Sequence, residues 1–242
     1  MEPKRIRVLG DGSSAVVWLV RCRNGNLAAL KVFKPNYVDC YERELIASKT
    51  IKAHPNVTLA MATEVPTQLI MPRADTDLFE LLTKCPDGLG RGVTTEFTRQ
   101  LCSGLSHIHA FGLCHTDIKL ENVLVSRPGV VSIADFGLAR KAGTIVKGPV
   151  GTLAYLAPET FGDHVVQPSI DVWQLGLLVF SMLTARQLFS GSTLLEMRRA
   201  IHRGLPLDAV VVDAQDFITD ALSIDPRERP SVCELALYEF LS

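Results

Sequence analysis

The chain has 242 residues, a formal net charge of −1, 47% hydrophobic residues and 21% charged residues. That mixture fits a folded globular chain and excludes a disordered or fibrous one. Near-zero charge with scattered Lys and Arg gives no electrostatic reason to bind nucleic acid or an acidic membrane, and the length allows one large domain or two small lobes.

Residues 5–10, 15–20 and 27–33 are short apolar runs that read as strands, with a hairpin signal at Asn24-Gly25. Residues 39–53 read as a helix stopped by His54-Pro55-Asn56, and two more short runs follow at 57–61 and 67–71. After Pro72 the character changes. A helix opens over 75–82 with a possible Asp cap, and a long one spans 94–112, capped by Thr94 or Thr95 and ended by Gly112. Residues 122–126 and 130–135 flank the Arg127-Pro128-Gly129 turn as a hairpin, and the remainder is helical with loops. Strands first and helices later predict an α+β unit of two lobes. The small antiparallel lobe covers about 1–70, the connection 71–74 and the helical lobe about 75–242.

Six cysteines include no C-x-x-C pair, so zinc and thioredoxin chemistry are not indicated, and free thiols in a reducing compartment are expected. The N-terminus has no apolar signal core. The longest apolar uncharged stretch, Val172 to Ala185, falls short of the roughly 18 residues a membrane span needs. A soluble protein of the cytoplasm or nucleus is the expectation, with no regulatory segment appended and a monomer compatible with the chain.

Residues 10–17, GDGSSAVV, fit a loop that lets backbone N–H groups approach phosphates. Lys31 lies in an otherwise apolar strand and needs a carboxylate or phosphate partner. In HTDIKLEN (115–122), Asp117, Lys119 and Asn122 offer a carboxylate, an ammonium and an amide from one loop. Asp135-Phe136-Gly137 follows at a strand end, and Ala157-Pro158-Glu159 closes the segment. Orienting a hydroxyl, offsetting phosphate charge and holding a metal call for those groups.

Taken in order with DVWQLG (171–176) and DPRERPS (225–231), these motifs resemble the eukaryotic protein kinase family, serine/threonine branch, across essentially the whole chain. The resemblance implies a bilobal kinase fold, Mg-ATP as cofactor with two Mg²⁺ ions, and protein substrates bearing Ser or Thr. Gly10, Asp11, Gly12, Ser13, Ser14, Ala15, Val17 and Ala29 would enclose ATP. Ile70 would stand as gatekeeper, Met71 and Arg73 would offer backbone groups to adenine, and Asp77 would meet the ribose or cap a helix. Lys31 would hold the α/β-phosphates and pair with Glu44, with Glu42 as the other candidate. Asp117 would take or orient the substrate proton, Lys119 would touch the γ-phosphate, and Thr152 would bond toward both. Asn122 and Asp135 would hold the metal ions, and Arg229 would pair with Glu159.

Three departures stand out. Ala15 replaces the third glycine of the loop, adding one methyl group. Thr116 stands where the family carries an arginine that binds an activation-segment phosphate, so activity without that phosphorylation is expected, Thr144 being the obvious site there. Glu121 occupies a position that in basophilic members binds an arginine, while the second acidic position is Ser181. A mild preference for basic substrates follows. The Met-Pro-Arg run and Asp77-Leu78-Phe79 resemble herpesvirus kinases, which would imply a viral origin. A pseudokinase scaffold is the alternative, set against the intact Lys31, Asp117, Asn122 and Asp135.

Overall fold

The structure is a computed structural model and describes residues 3–242. Strands β1 (Lys4–Asp11), β2 (Ala15–Arg21) and β3 (Leu27–Phe33) follow one another as antiparallel hairpins. With β4 (Met61–Ala62) and β5 (Gln68–Pro72) they form a five-stranded sheet of order β1-β2-β3-β5-β4. The helix α1 (Val38–Thr50) buries Cys40, Glu44 and Ala47, spaced four and three apart on one face. Glu44 is the one charged group on that stripe, so its position already demands a partner.

Beyond Pro72 the chain is mainly helical, as an α+β reading requires. Strand β6 (Thr76–Asp77) and helices α2 (Leu78–Leu82) and α3 (Arg91–Ala110) lead to β7 (Leu113–Cys114). Strands β8 (Val123–Val125) and β9 (Val131–Ile133) form the hairpin under the site, with β6 on its edge. Strands β10 (Arg140–Lys141), β11 (Ile145–Val146) and β12 (His164–Val165) hold the next segment. The helices α4 (Pro168–Thr184), α5 (Leu194–His202), α6 (Val212–Ala221) and α7 (Val232–Leu235) complete the fold. Almost every residue of α4 is buried, and it packs against α3 and α6. This is the apolar stretch ending at Ala185, and it is an interior helix. Among the described residues no helix is long and apolar enough to cross a membrane.

Two local expectations need correction. Of residues 57–61 only Met61 joins the first sheet, as the start of β4. Asn56 and Thr58 instead bond to Ile133 on β9 (Ile133 N to Asn56 O at 2.9 Å, Thr58 N to Ile133 O at 2.8 Å), stitching this segment to the helical half. Nor do Thr94 and Thr95 cap α3. The helix starts earlier, after Gly90, and both threonines are interior and buried, their hydroxyls donating to Gly90 O and Phe240 O.

Candidate active site

β3 carries Lys31 on the sheet face that looks toward α1. Its buried Nζ lies 2.7 Å from Glu44 Oε2 and 2.8 Å from Asp135 Oδ1. Glu42, two residues earlier and on the opposite side of α1, is exposed and takes no part. Directly paired residues on antiparallel strands share a face. Val17 and Leu69 pair with Lys31, and Leu19 and Met71 with Ala29, so all of them flank it.

Ile70 is therefore not the gatekeeper. It pairs with Leu30 and packs with Val20, Ala28 and Leu30 on the opposite face. Met71 takes the position beside Ala29, clustered with Ala15, Ala29 and Leu69. Counting back from Asp77 assumed a longer connection, and a one-residue slip reverses the face. Arg73 follows the strand and lies 3.7 Å from Asp75. Asp77 caps α2, its Oδ1 accepting from Glu80 N at 2.7 Å, and burial raises its pKa.

The β1–β2 loop is pinned from below. Lys34 Nζ donates to Asp11 Oδ1 at 3.0 Å and to Gly12 O at 2.7 Å. Ser14 O accepts from Lys34 N, and Gly10 pairs with Val17. The Ala15 methyl is buried in the cluster with Phe33 and Ala29.

The loop 115–122 is held from beneath by α4. Asp171, fully buried, accepts from His115 N at 2.8 Å, Thr116 N at 2.7 Å and His109 Nε2 at 2.8 Å. Gln174 accepts from Ile118 N and donates to Thr116 O. Thr116, at φ +64°, adopts a conformation unusual for a non-glycine residue, which this bonding holds, and so does Asp135, at φ +67°. The His115 ring lies edge-on to Phe136 at 5.0 Å, with Nε2 to Ala134 O at 3.0 Å.

Four donors converge on the Asp117 carboxylate. They are Thr152 N at 3.1 Å, Thr152 Oγ1 at 3.0 Å, Asn122 Nδ2 at 3.2 Å and Lys119 Nζ at 2.9 Å. Lys119 also donates to Thr152 Oγ1 at 2.9 Å. Gly151, at φ +118°, carries the backbone past this carboxylate, where a Cβ would stand 3.4 Å from Thr116 O and 3.6 Å from Asp117 Oδ1.

The segment from Asp135 to Glu159 is ordered by apolar and backbone contacts. Thr116 Oγ1 donates to Leu138 O at 2.9 Å, and Arg43 Nε to Gly137 O at 2.8 Å. β10 pairs with β7 and β11 with β12. Cys114, Val146 and Val166 form a small apolar cluster beneath. At the far end Arg229 grips Glu159 through two bonds of 2.7 and 2.8 Å, and stacks on Trp173 at 4.9 Å. Ser181 is buried within α4 and cannot serve as a surface position for a substrate.

Burial would depress Lys31, but the carboxylates of Asp135 and Glu44 outweigh it and its pKa is raised. Burial, opposed by Lys31 and reinforced by Asp135, pushes Glu44 from an ordinary 4.5 up to about 7. Burial of Asp135 is outweighed by Lys31, which holds its carboxyl below the usual range. A raised carboxyl pKa means that folded Glu44 retains a proton which the unfolded chain has lost. Its contribution to stability is therefore full below 4.5 and is lost as pH rises through about 7. Holding Lys31 needs the ionised form, so activity should rise over the same window. A pH profile of kcat/KM should show an acid limb near 7 that Glu44→Gln removes while lowering activity throughout. A limb confined below pH of about 5.5 would contradict this.

Among the described residues Asn122 Oδ1 and Asp135 Oδ2 have no hydrogen-bond partner, whereas Asn122 Nδ2 is fixed by Asp117 O at 2.8 Å. Two hard oxygens suit Mg²⁺, which takes its remaining ligands from phosphate and water. Among the described residues no group of three His, Cys, Asp or Glu could hold a metal alone.

Sequence reasoning had assigned no role to Asp171, Gln174 or Arg43. The available signal was the pair Asp171 and Gln174, three apart on an otherwise apolar helix, since buried polar groups need partners.

A two-lobed fold with this cleft defines a class of protein. The model of the family described as "Protein kinase domain" matches residues 4–241, and the chain belongs to that family. It is similar to the SNF-related serine/threonine-protein kinase of Rattus norvegicus, 29% identical over 97% of this chain and 34% of that protein. The serine/threonine-protein kinase drp72 of Corynebacterium efficiens is 31% identical over 92% of this chain and 47% of its own length. RAD53 of Saccharomyces cerevisiae, also a serine/threonine-protein kinase, is 34% identical over 60% and 21% respectively. The chain thus spans about a fifth to just under a half of these relatives. None of the three bears on a viral origin.

Proposed function

We propose that this chain is a serine/threonine protein kinase that transfers the γ-phosphoryl group of Mg-ATP to protein hydroxyls. The observation that carries the reading is the joining of Lys31, Glu44 and Asp135 by ion pairs of 2.7 and 2.8 Å, opposite Asp117 with Lys119 and Thr152. Mg-ATP supplies the phosphoryl group and the metal charge, with two ions held by Asn122 and Asp135. Lys31 positions the α/β-phosphates. Val17, Ala29 and Met71 line the adenine site, and Pro72 O and Ala74 N replace the groups first assigned to Met71 and Arg73.

An ionised carboxylate has about four acceptor positions, and the four donors on Asp117 fill them. The substrate hydroxyl must displace one. Lys119 carries its donor on a flexible, partly exposed stem, and moving it to the γ-phosphate would free Asp117 to take the hydroxyl proton. Lys119 then offsets charge where it develops. The catalysis is positioning and electrostatics.

The serine/threonine preference is supported by the relatives' names, by Lys119 and by Thr152. Glu121 is exposed beside Tyr155 and suits a basic residue near the acceptor. Six free cysteines fit a reducing intracellular compartment, and burial pushes Cys102 up to about 12, making it inert. The Thr116–Leu138 bond and the two strand pairings hold the activation segment without phosphate. Thr144→Ala should therefore retain transfer to generic Ser/Thr proteins within about twofold, with no transfer to Tyr. Loss of most activity, or phosphotyrosine in acid hydrolysates, would overturn the reading.

A further inference from the structure

Helix α5 buries Met197, Ala200 and Ile201 and packs against Leu153–Tyr155 and Pro158–Phe161, the stretches that follow Thr152. It therefore flanks the strip of chain beside the Asp117 carboxylate. Its outer side is basic. Arg198, Arg199, His202 and Arg203 are exposed and, with Ser190 and Glu196, line an open groove of about 720 Å³. Arg198 sits over the Phe161 ring at 6.0 Å, which fixes the near wall of the groove to the segment after Thr152.

No carboxylate among the described residues pairs with any of these three guanidinium groups. Glu196 is committed elsewhere, accepting from Ser192 N at 2.7 Å. Arg91, Arg99, Arg227 and Arg229 do find carboxylates, whereas the α5 arginines are distinguished by standing together around one groove. The helix dipole favours a cation in the last turn. It does not account for three arginines around one groove, two of them four residues apart, where like charges repel. In a chain of net charge −1 this is a local positive site without an internal counterion.

We propose that the α5 groove docks an acidic segment of the protein substrate, several residues from the acceptor hydroxyl. The inference rests on the kinase reading above. Paired with Glu121, it describes a bipolar substrate, basic near the acceptor and acidic further away. Arginine forks match carboxylates in paired hydrogen bonds, and a second contact raises the effective concentration of the acceptor.

The test is fluorescence anisotropy with a labelled peptide that carries a run of glutamates, a flexible spacer and Ala in place of the acceptor. The wild-type chain should bind it at least about tenfold tighter than a Gln-for-Glu counterpart, with affinity falling as salt rises. Arg199→Glu/Arg203→Glu should remove the difference, and Arg199→Gln/Arg203→Gln should reduce it without a repulsive charge. With Ser restored, the acidic run should lower KM about tenfold at unchanged kcat in the wild type alone. Equal binding of the two peptides, an unaffected charge-reversed variant, or a DNA duplex that binds as tightly as the peptide would each overturn the proposal. Binding needs no phosphoryl transfer. An inactive chain that still selects the acidic peptide would count against the kinase reading only, and an active chain indifferent to it against the groove only.

Discussion

Asp117→Asn is expected to lower kcat by roughly 10²–10⁴-fold while leaving the affinity for Mg-ATP within about threefold. The carboxylate has lone pairs that can take a hydroxyl proton, and four donors already orient it. The amide keeps the size but not the charge. Its NH₂ would face either Thr152 or the pair Lys119 and Asn122, donors against a donor. Nucleotide contacts assigned to Lys31 and Asp135 lie across the cleft and should survive. Stopped-flow or steady-state transfer to a Ser peptide, with nucleotide binding and thermal unfolding as controls, reads the split. A kcat within tenfold of wild type would show that Asp117 is not the proton-handling group.

Glu159→Ala is expected to cost about 3–5 kcal/mol of stability, because it strands the buried guanidinium of Arg229. The Arg229 side chain has no exposure at all, and its remaining partners are the carbonyls of Ser223, Ser169 and Ile224. Carbonyls solvate the charge but do not neutralise it. For a domain of this size each kcal/mol moves Tm by about 2–4 °C, so a fall on the order of 10 °C is expected. Activity should suffer as well, since Glu159 ends the segment that begins at Asp135 and carries Thr152 past Asp117. A Tm shift below about 2 °C would mean that the pair contributes little and that Arg229 is held by its carbonyl bonds.

Short-range patterns carried most of what could be read from residues alone. Asp117, Lys119 and Asn122 lie within one loop, and Lys31 is the one charged residue of an otherwise apolar strand. Glu44 was preferred to Glu42 by its distance from His54-Pro55-Asn56, and the fold decides between them because residues two apart on a helix lie on opposite sides. Ile70 failed for the opposite reason. Its face depends on parity, and parity was counted backward across an irregular connection from Asp77. The segment 57–61 looked like a strand from its apolar residues, but Thr58 found its hydrogen-bond partner on β9, far along the chain. Asp171 lies more than fifty residues from the loop that it organises, so its role is set by tertiary placement that no local pattern encodes. The basic face of α5 was passed over because Lys and Arg look scattered along the chain, and the sequence does not show that among the described residues no carboxylate folds back to meet Arg198, Arg199 and Arg203.

The central claim is that the site as folded is complete and needs no phosphate on its own activation segment. The most direct test uses bacterially made, phosphatase-treated protein, shown by mass spectrometry to carry no phosphate. It is mixed with Mg-ATP and generic Ser/Thr and Tyr proteins and followed from the first turnover. The account predicts immediate transfer to Ser and Thr, without a lag. Measurable Mg-ATP binding with no transfer, or transfer that begins only after the chain has phosphorylated itself, would contradict it.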